Sequence, residues 1–148
     1  MAPAGSRGAR VGLVYLLDTN VISELRRPRP HGAVVAWLQG VADHDLHLSA
    51  VTLGELQAGV EITREQDLEK ASEIELWIDQ VAQTWNVLPV DGQIFRVWAK
   101  LMHRRSDDLM ADALIAATAM VHHLVVVTRN VRDFAPLEVT TLNPFETG

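Results

Sequence analysis

Residues 11–17 read Val-Gly-Leu-Val-Tyr-Leu-Leu and stop at Asp18. A short apolar run without polar alternation is the pattern of a strand covered on both faces. Residues 46–48, 87–90, 124–128 and 139–142 supply four more short segments of strand character. Helical spacing fills the intervals. Residues 20–26 read as a short helix broken by Pro28 and Pro30, and 33–38 as another. Ser49 and Thr52 offer helix-start chemistry ahead of Leu53, Leu56 and Val60. Residues 64–85 carry Leu68, Ile74, Trp77, Ile78, Val81 and Trp85 among charges and read as one long amphipathic helix. Asp91 can cap a helix bearing Ile94, Phe95, Trp98 and Leu101. Residues 103–106 are a polar, basic connection, and 108–121 an alanine-rich helix. Strands separated by helices predict an α/β sandwich with a mainly parallel sheet, with function at the carboxyl ends of the strands.

The chain has 148 residues, enough for one domain with a real core. No repeat or linker divides it. Residues 1–10 read as a flexible extension and 11–148 as a single domain. Cysteine is absent, which excludes a disulfide scaffold, a zinc ribbon and a thiol nucleophile. No apolar run approaches the roughly 20 residues of a membrane span. The first ten residues lack the apolar stretch of a secretory signal, so a cytoplasmic location is expected. The formal charge of −6 argues against general coating of nucleic acid but leaves room for an acidic pocket that holds a metal.

Three carboxylates stand out. Asp18 closes the first apolar run; there it either caps the next helix or presents a functional group. Glu55 follows the second strand; Thr52-Leu-Gly-Glu55 matches a capping box, yet a helix would also put Glu55 on a face of small and apolar residues. Asp112 shares a helical face with Leu109, Ile115, Ala116 and Ala119. With a helix starting near Asp108 it lies too far in to act as the cap, so an arginine or a divalent cation must offset its charge. Asp108 itself reads as a helix-start acid. The strand end at Thr128, Arg129 and Asn130, with Asp133 beyond it, offers either turn residues or groups that orient water. An all-oxygen set of this kind suits Mg²⁺ or Mn²⁺.

The strings LLDTNVISE (16–24), LSAVTLGELQAGV (48–60), ADALIAATA (111–119) and VVVTRNVRDF (125–134) together resemble the PIN domain, and more narrowly its VapC/FitB group of toxin ribonucleases. The blocks occur in the family's order and span Tyr15 to Phe134. The ending Leu142-Asn143-Pro144-Phe145 is also similar to the FitB branch. The resemblance implies a three-layer α/β/α PIN-like sandwich. It implies a catalytic set of Asp18, Glu55, Asp112 and Asn130. Asp18 and Asp112 would bind Mg²⁺, with Mn²⁺ a substitute, and Glu55 would bind metal or position water. Water would cleave an RNA phosphodiester. Many relatives carry an acid where this chain has Asn130. The amide accepts hydrogen bonds but brings no charge, so one well-held metal is expected, with Asp133 a candidate replacement. Thr128 and Arg129 are further pocket or substrate candidates.

The resemblance also implies partners: a VapB-like antitoxin, a homodimer within a larger toxin–antitoxin assembly, and operator DNA reached only through the antitoxin. Val34, Val35, Trp37, Leu38, Leu76, Trp77 and Ile78 are either surface for such contacts or core. Arg26, Arg27, Arg29, Arg96, Lys100, Arg104, Arg105, Arg129 and Arg132 lie near the motifs in sequence and are candidates to ring the pocket and hold phosphates. Two other readings compete: a non-catalytic interaction module, and a phosphohydrolase using Asp18 as nucleophile. The second wants an acid two residues later, where this chain has Asn20.

Overall fold

The computed structural model describes residues 12–146. Five strands form one sheet: β1 (Tyr15–Leu17), β2 (Leu46–Ser49), β3 (Asn86–Leu88), β4 (Val125–Val127) and β5 (Thr141–Leu142). Their order is β3-β2-β1-β4-β5, and every pair is parallel. The helices are α1 (Thr19–Glu24), α2 (Gly32–Gln39), α3 (Ala50–Arg64), α4 (Leu68–Thr84), α5 (Gly92–Met102), α6 (Met110–His122) and α7 (Val131–Phe134). The proposed extension and Val11 lie outside the described residues.

The unbroken apolar runs follow from the pleat. Tyr15, Leu17, Val125 and Val127 enter one core with Val21, Val34 and Trp37. Leu16 and Val126 enter a second core with Ile115, Ala116, Ala119 and Phe134. Alternate residues of one strand therefore supply opposite layers, which is the α/β/α sandwich. Tyr15 and Trp37 meet edge to face with ring centroids 5.0 Å apart. Val60, Ala71 and Ile78 lock α3 to α4 in a smaller cluster. None of the helices among the described residues is long and apolar enough to cross a membrane.

Several boundaries differ from the sequence reading. The long helix over 64–85 is two elements: α3 runs on to Arg64, a turn intervenes, and Asp67 restarts the chain by accepting from the Lys70 N–H at 3.0 Å. Charged residues on both sides of the turn hid the break. The alanine-rich helix begins at Met110 rather than 108, because Ser106 caps a 3-10 turn over Asp107–Leu109 first. The short helix α7 was not anticipated; its four residues are too few to show a period. Val34, Trp37 and Ile78 are core, whereas Leu76 is exposed.

Candidate metal centre

Asp18 leaves the sheet at the end of β1, and its backbone N–H still bonds the Val127 carbonyl of β4 at 2.9 Å. It is the N-cap of α1 and is 5% exposed. One carboxylate oxygen accepts from the Thr19 N–H at 2.8 Å. The other accepts from the Thr128 hydroxyl at 2.9 Å and the Asn20 amide at 3.0 Å. The side chain thus caps α1 and also ties the ends of β1 and β4 together. Burial pushes the Asp18 carboxyl up, the bonds from Thr128, Thr19 and Asn20 hold it down, and the charge of Glu55 adds to the upward push.

Glu55 corrects the sequence reading. The capping box does not form, because Ser49 is the cap of α3 and accepts from the Val51 N–H at 3.1 Å. That leaves Glu55 in the second turn, exposed rather than on a buried face. One of its oxygens accepts from the Thr19 hydroxyl at 2.6 Å, and that hydroxyl lies 3.2 Å from the buried Thr52 hydroxyl.

Asp112 also moves relative to its expected place. Because α6 starts at Met110, Asp112 sits in the first turn, half-buried, where the helix dipole favours an anion. Even so its pKa is raised to about 6. Desolvation is the leading cause, followed by the charges of Asp18, Asp133 and Glu55. Asp112 in α6 thus feels the charge of the α1 cap Asp18, of Glu55 in α3 and of Asp133 in α7. No arginine or lysine offsets them, since the ion pairs among the described residues involve Glu24, Asp45, Glu61 and Glu75.

The strand end of β4 supplies the frame. Thr128 is buried and accepts from the Asn130 N–H at 3.0 Å. Arg129 donates its backbone N–H to the Asn20 side-chain oxygen at 3.1 Å. Asn130 precedes α7 without capping it through its side chain, while Asp133, in the first turn of α7, is one of the acids whose charge acts on Asp112. Thr19, Asn20 and Thr52 were not singled out as site residues by sequence reasoning. The signal available was their position: short polar residues immediately after a strand or in the first turn of a helix facing it.

The donor set is hard, anionic oxygen, which fits Mg²⁺ or Mn²⁺ and no soft metal. Among the described residues no three of His, Cys, Asp and Glu stand close enough to encage an ion by themselves. Mg²⁺ is bound through one or two carboxylates with several retained waters, so any such ion here would rest on fewer than three of these acids.

The fold agrees with comparisons against known proteins. The PIN domain profile matches residues 15–137. The toxin FitB of Neisseria gonorrhoeae is 35% identical over 142 residues, covering 89% of this chain and 99% of that protein. A VapC ribonuclease of Sinorhizobium fredii is 36% identical over 141 residues, covering 90% and 99%. A structure of FitAB bound to an IR36 DNA fragment superposes with a TM-score of 0.79 at 33% identity, covering 91% of this chain and 98% of the matched one. The chain belongs to the PIN-domain family, in its VapC/FitB toxin–antitoxin branch.

Proposed function

We infer that the protein is the toxin of a toxin–antitoxin pair and a Mg²⁺-dependent endoribonuclease. The observation that carries this reading is that the charges of Asp18, Asp133 and Glu55 all reach the half-buried Asp112, and that none of the four is ion-paired among the described residues. The ribonuclease name of the Sinorhizobium fredii relative supports the same chemistry.

Asp18 and Asp112 would hold the ion. Among the described residues nothing donates a hydrogen bond to the Asp112 carboxylate, which leaves its oxygens to a cation or to water. Glu55 keeps one oxygen beyond the Thr19 bond, placed to bind the ion or orient water. A Mg²⁺ held by these acids would supply positive charge beside the scissile phosphate and lower the pKa of a water bound to it. Thr128, Thr19 and Asn20 fix the Asp18 carboxylate and oppose the upward push of burial on its pKa, so little reorganisation is needed when substrate arrives. Asp133 contributes a fourth negative charge in place of the amide at Asn130.

The partners follow from the relatives. FitB is a toxin, and FitAB has been seen on DNA. A VapB-like antitoxin is proposed to neutralise this chain, within an assembly containing a toxin homodimer that reaches operator DNA through the antitoxin. The test of the activity is cleavage of total cellular RNA by the antitoxin-free protein with Mg²⁺. Cleavage by wild type and its loss in Asp18→Asn support the reading; equal cleavage by both would overturn it.

A further inference from the structure

Two arginines beside the acid cluster share an unusual arrangement. The Arg26 guanidinium lies over the Trp77 indole, 5.5 Å from its centroid. That of Arg129 lies over the Phe145 ring at 4.5 Å. Neither forms an ion pair with a carboxylate among the described residues. By contrast, Arg27 is paired with Glu24 at 3.4 Å and Arg105 donates to the Leu101 carbonyl at 2.6 Å. The basic ring expected from sequence is therefore uneven.

Both arginines are tied to the site, from different directions. Arg129 follows β4, and its backbone holds Asn20, which holds Asp18. The carboxyl-terminal segment braces it: Asn143 donates to the Arg129 carbonyl at 3.4 Å and accepts from the Phe145 N–H at 2.9 Å, while His31 packs on Phe145 at 5.2 Å. Arg26 lines a groove of about 350 Å³ that begins at Thr19 and Glu55 and runs to Trp77. Since β1 lies between β2 and β4, the groove beside α3 and the loop after β4 flank Asp18 on opposite sides.

A guanidinium stacked on a ring keeps its N–H edges free while losing much of its flexibility. That is the preparation a fork needs for bidentate contact with phosphate. We propose that Arg26 on Trp77 and Arg129 on Phe145 are two phosphate clamps that hold a single RNA strand on either side of the bond to be cut. The proposal rests on the ribonuclease reading above and assigns the substrate's path across that site.

The test reads binding separately from cleavage. In an Asp112→Asn background, which keeps RNA intact, the Kd of a short fluorescein-labelled single-stranded RNA of mixed sequence is measured against KCl concentration with Mg²⁺ present. Arg26→Gln and Arg129→Gln are each expected to weaken binding about tenfold at low salt. Each should also reduce the slope of log K against log salt by about 0.7, the value for one phosphate contact on a single strand. The Lys variants should recover the slope. Phe145→Leu should keep the slope and weaken Kd a few-fold, whereas a ring with only a structural role would lower Tm and leave Kd alone. A parental slope in either Gln variant overturns the two-clamp proposal. Loss of RNA binding by the parent also overturns it. Cleavage by the wild-type enzyme then decides independently whether the ribonuclease reading stands.

Discussion

Asp112 carries the clearest energetic signature. Folding raises its pKa from 3.8 to about 6, so the native state holds the proton more tightly than the unfolded chain. Below about pH 4 the carboxyl is protonated in both states and costs nothing. As pH rises from about 4 to 6 the unfolded chain gains from ionisation and the fold does not, so stability falls; above about 6 the loss is constant. Asp18, also shifted upward by burial, acts in the same direction. Allowing for solvent screening of a half-exposed group, the cost at Asp112 is about 1 kcal/mol. In metal-free buffer, Asp112→Asn should therefore raise Tm by about 2–4 °C at pH 7 and leave it unchanged at pH 4. A calorimetric scan at the two pH values checks this. A second acid, Glu24, has a different task. It is 7% exposed, accepts from the His31 N–H at 2.9 Å and pairs with Arg27, which closes the loop between α1 and α2. Glu24→Ala should cost about 2 kcal/mol in urea unfolding and Glu24→Gln less, because the amide oxygen still accepts the His31 bond. Equal losses would contradict that role.

At the scale of elements, the strands and most helices were legible because their side chains repeat. Residues 15–17 and 125–127 carry both faces of the sheet in unbroken apolar runs, and Asp91 caps α5 where the sequence implied, accepting from the Ile94 N–H at 3.0 Å. What failed was the placement of helix starts, and that altered the site. Ser49, Thr52 and Glu55 allow two frames for α3, and the chain takes the one in which Ser49, the last residue of β2, is the cap. The same ambiguity at Ser106 and Asp108 put Asp112 deeper in α6 than it is. Nor does sequence separation reveal that Asp133 on α7 is felt by Asp112; the parallel order of β1 and β4 creates that proximity. The assignment at α3 is testable. Ser49→Ala should destabilise by about 1 kcal/mol, while Glu55→Gln, which disturbs no cap, should leave stability within about 0.5 kcal/mol. Reversal of the two effects in chemical denaturation would restore the capping box.

Across the whole molecule, three carboxyl-terminal strand ends and one helix start bring like charges together at a point the core cannot neutralise. The excess acid elsewhere is solvated: Glu61 and Glu75 meet Arg64 on the outer faces of α3 and α4, where such pairs add little. The formal charge of −6 therefore describes the surface poorly. A local acidic centre flanked by stacked arginines is compatible with binding a polyanion once a cation is bound. The account depends on that cation. The most direct measurement is a thermal titration of the metal-treated and chelator-treated protein with Mn²⁺. At about 100 times the Kd, binding should add about 2.7 kcal/mol and raise Tm by about 5–10 °C in wild type, with the rise lost in Asp112→Asn. An unchanged Tm in wild type, or an equal rise in Asp112→Asn, would contradict the assignment of these acids to a metal.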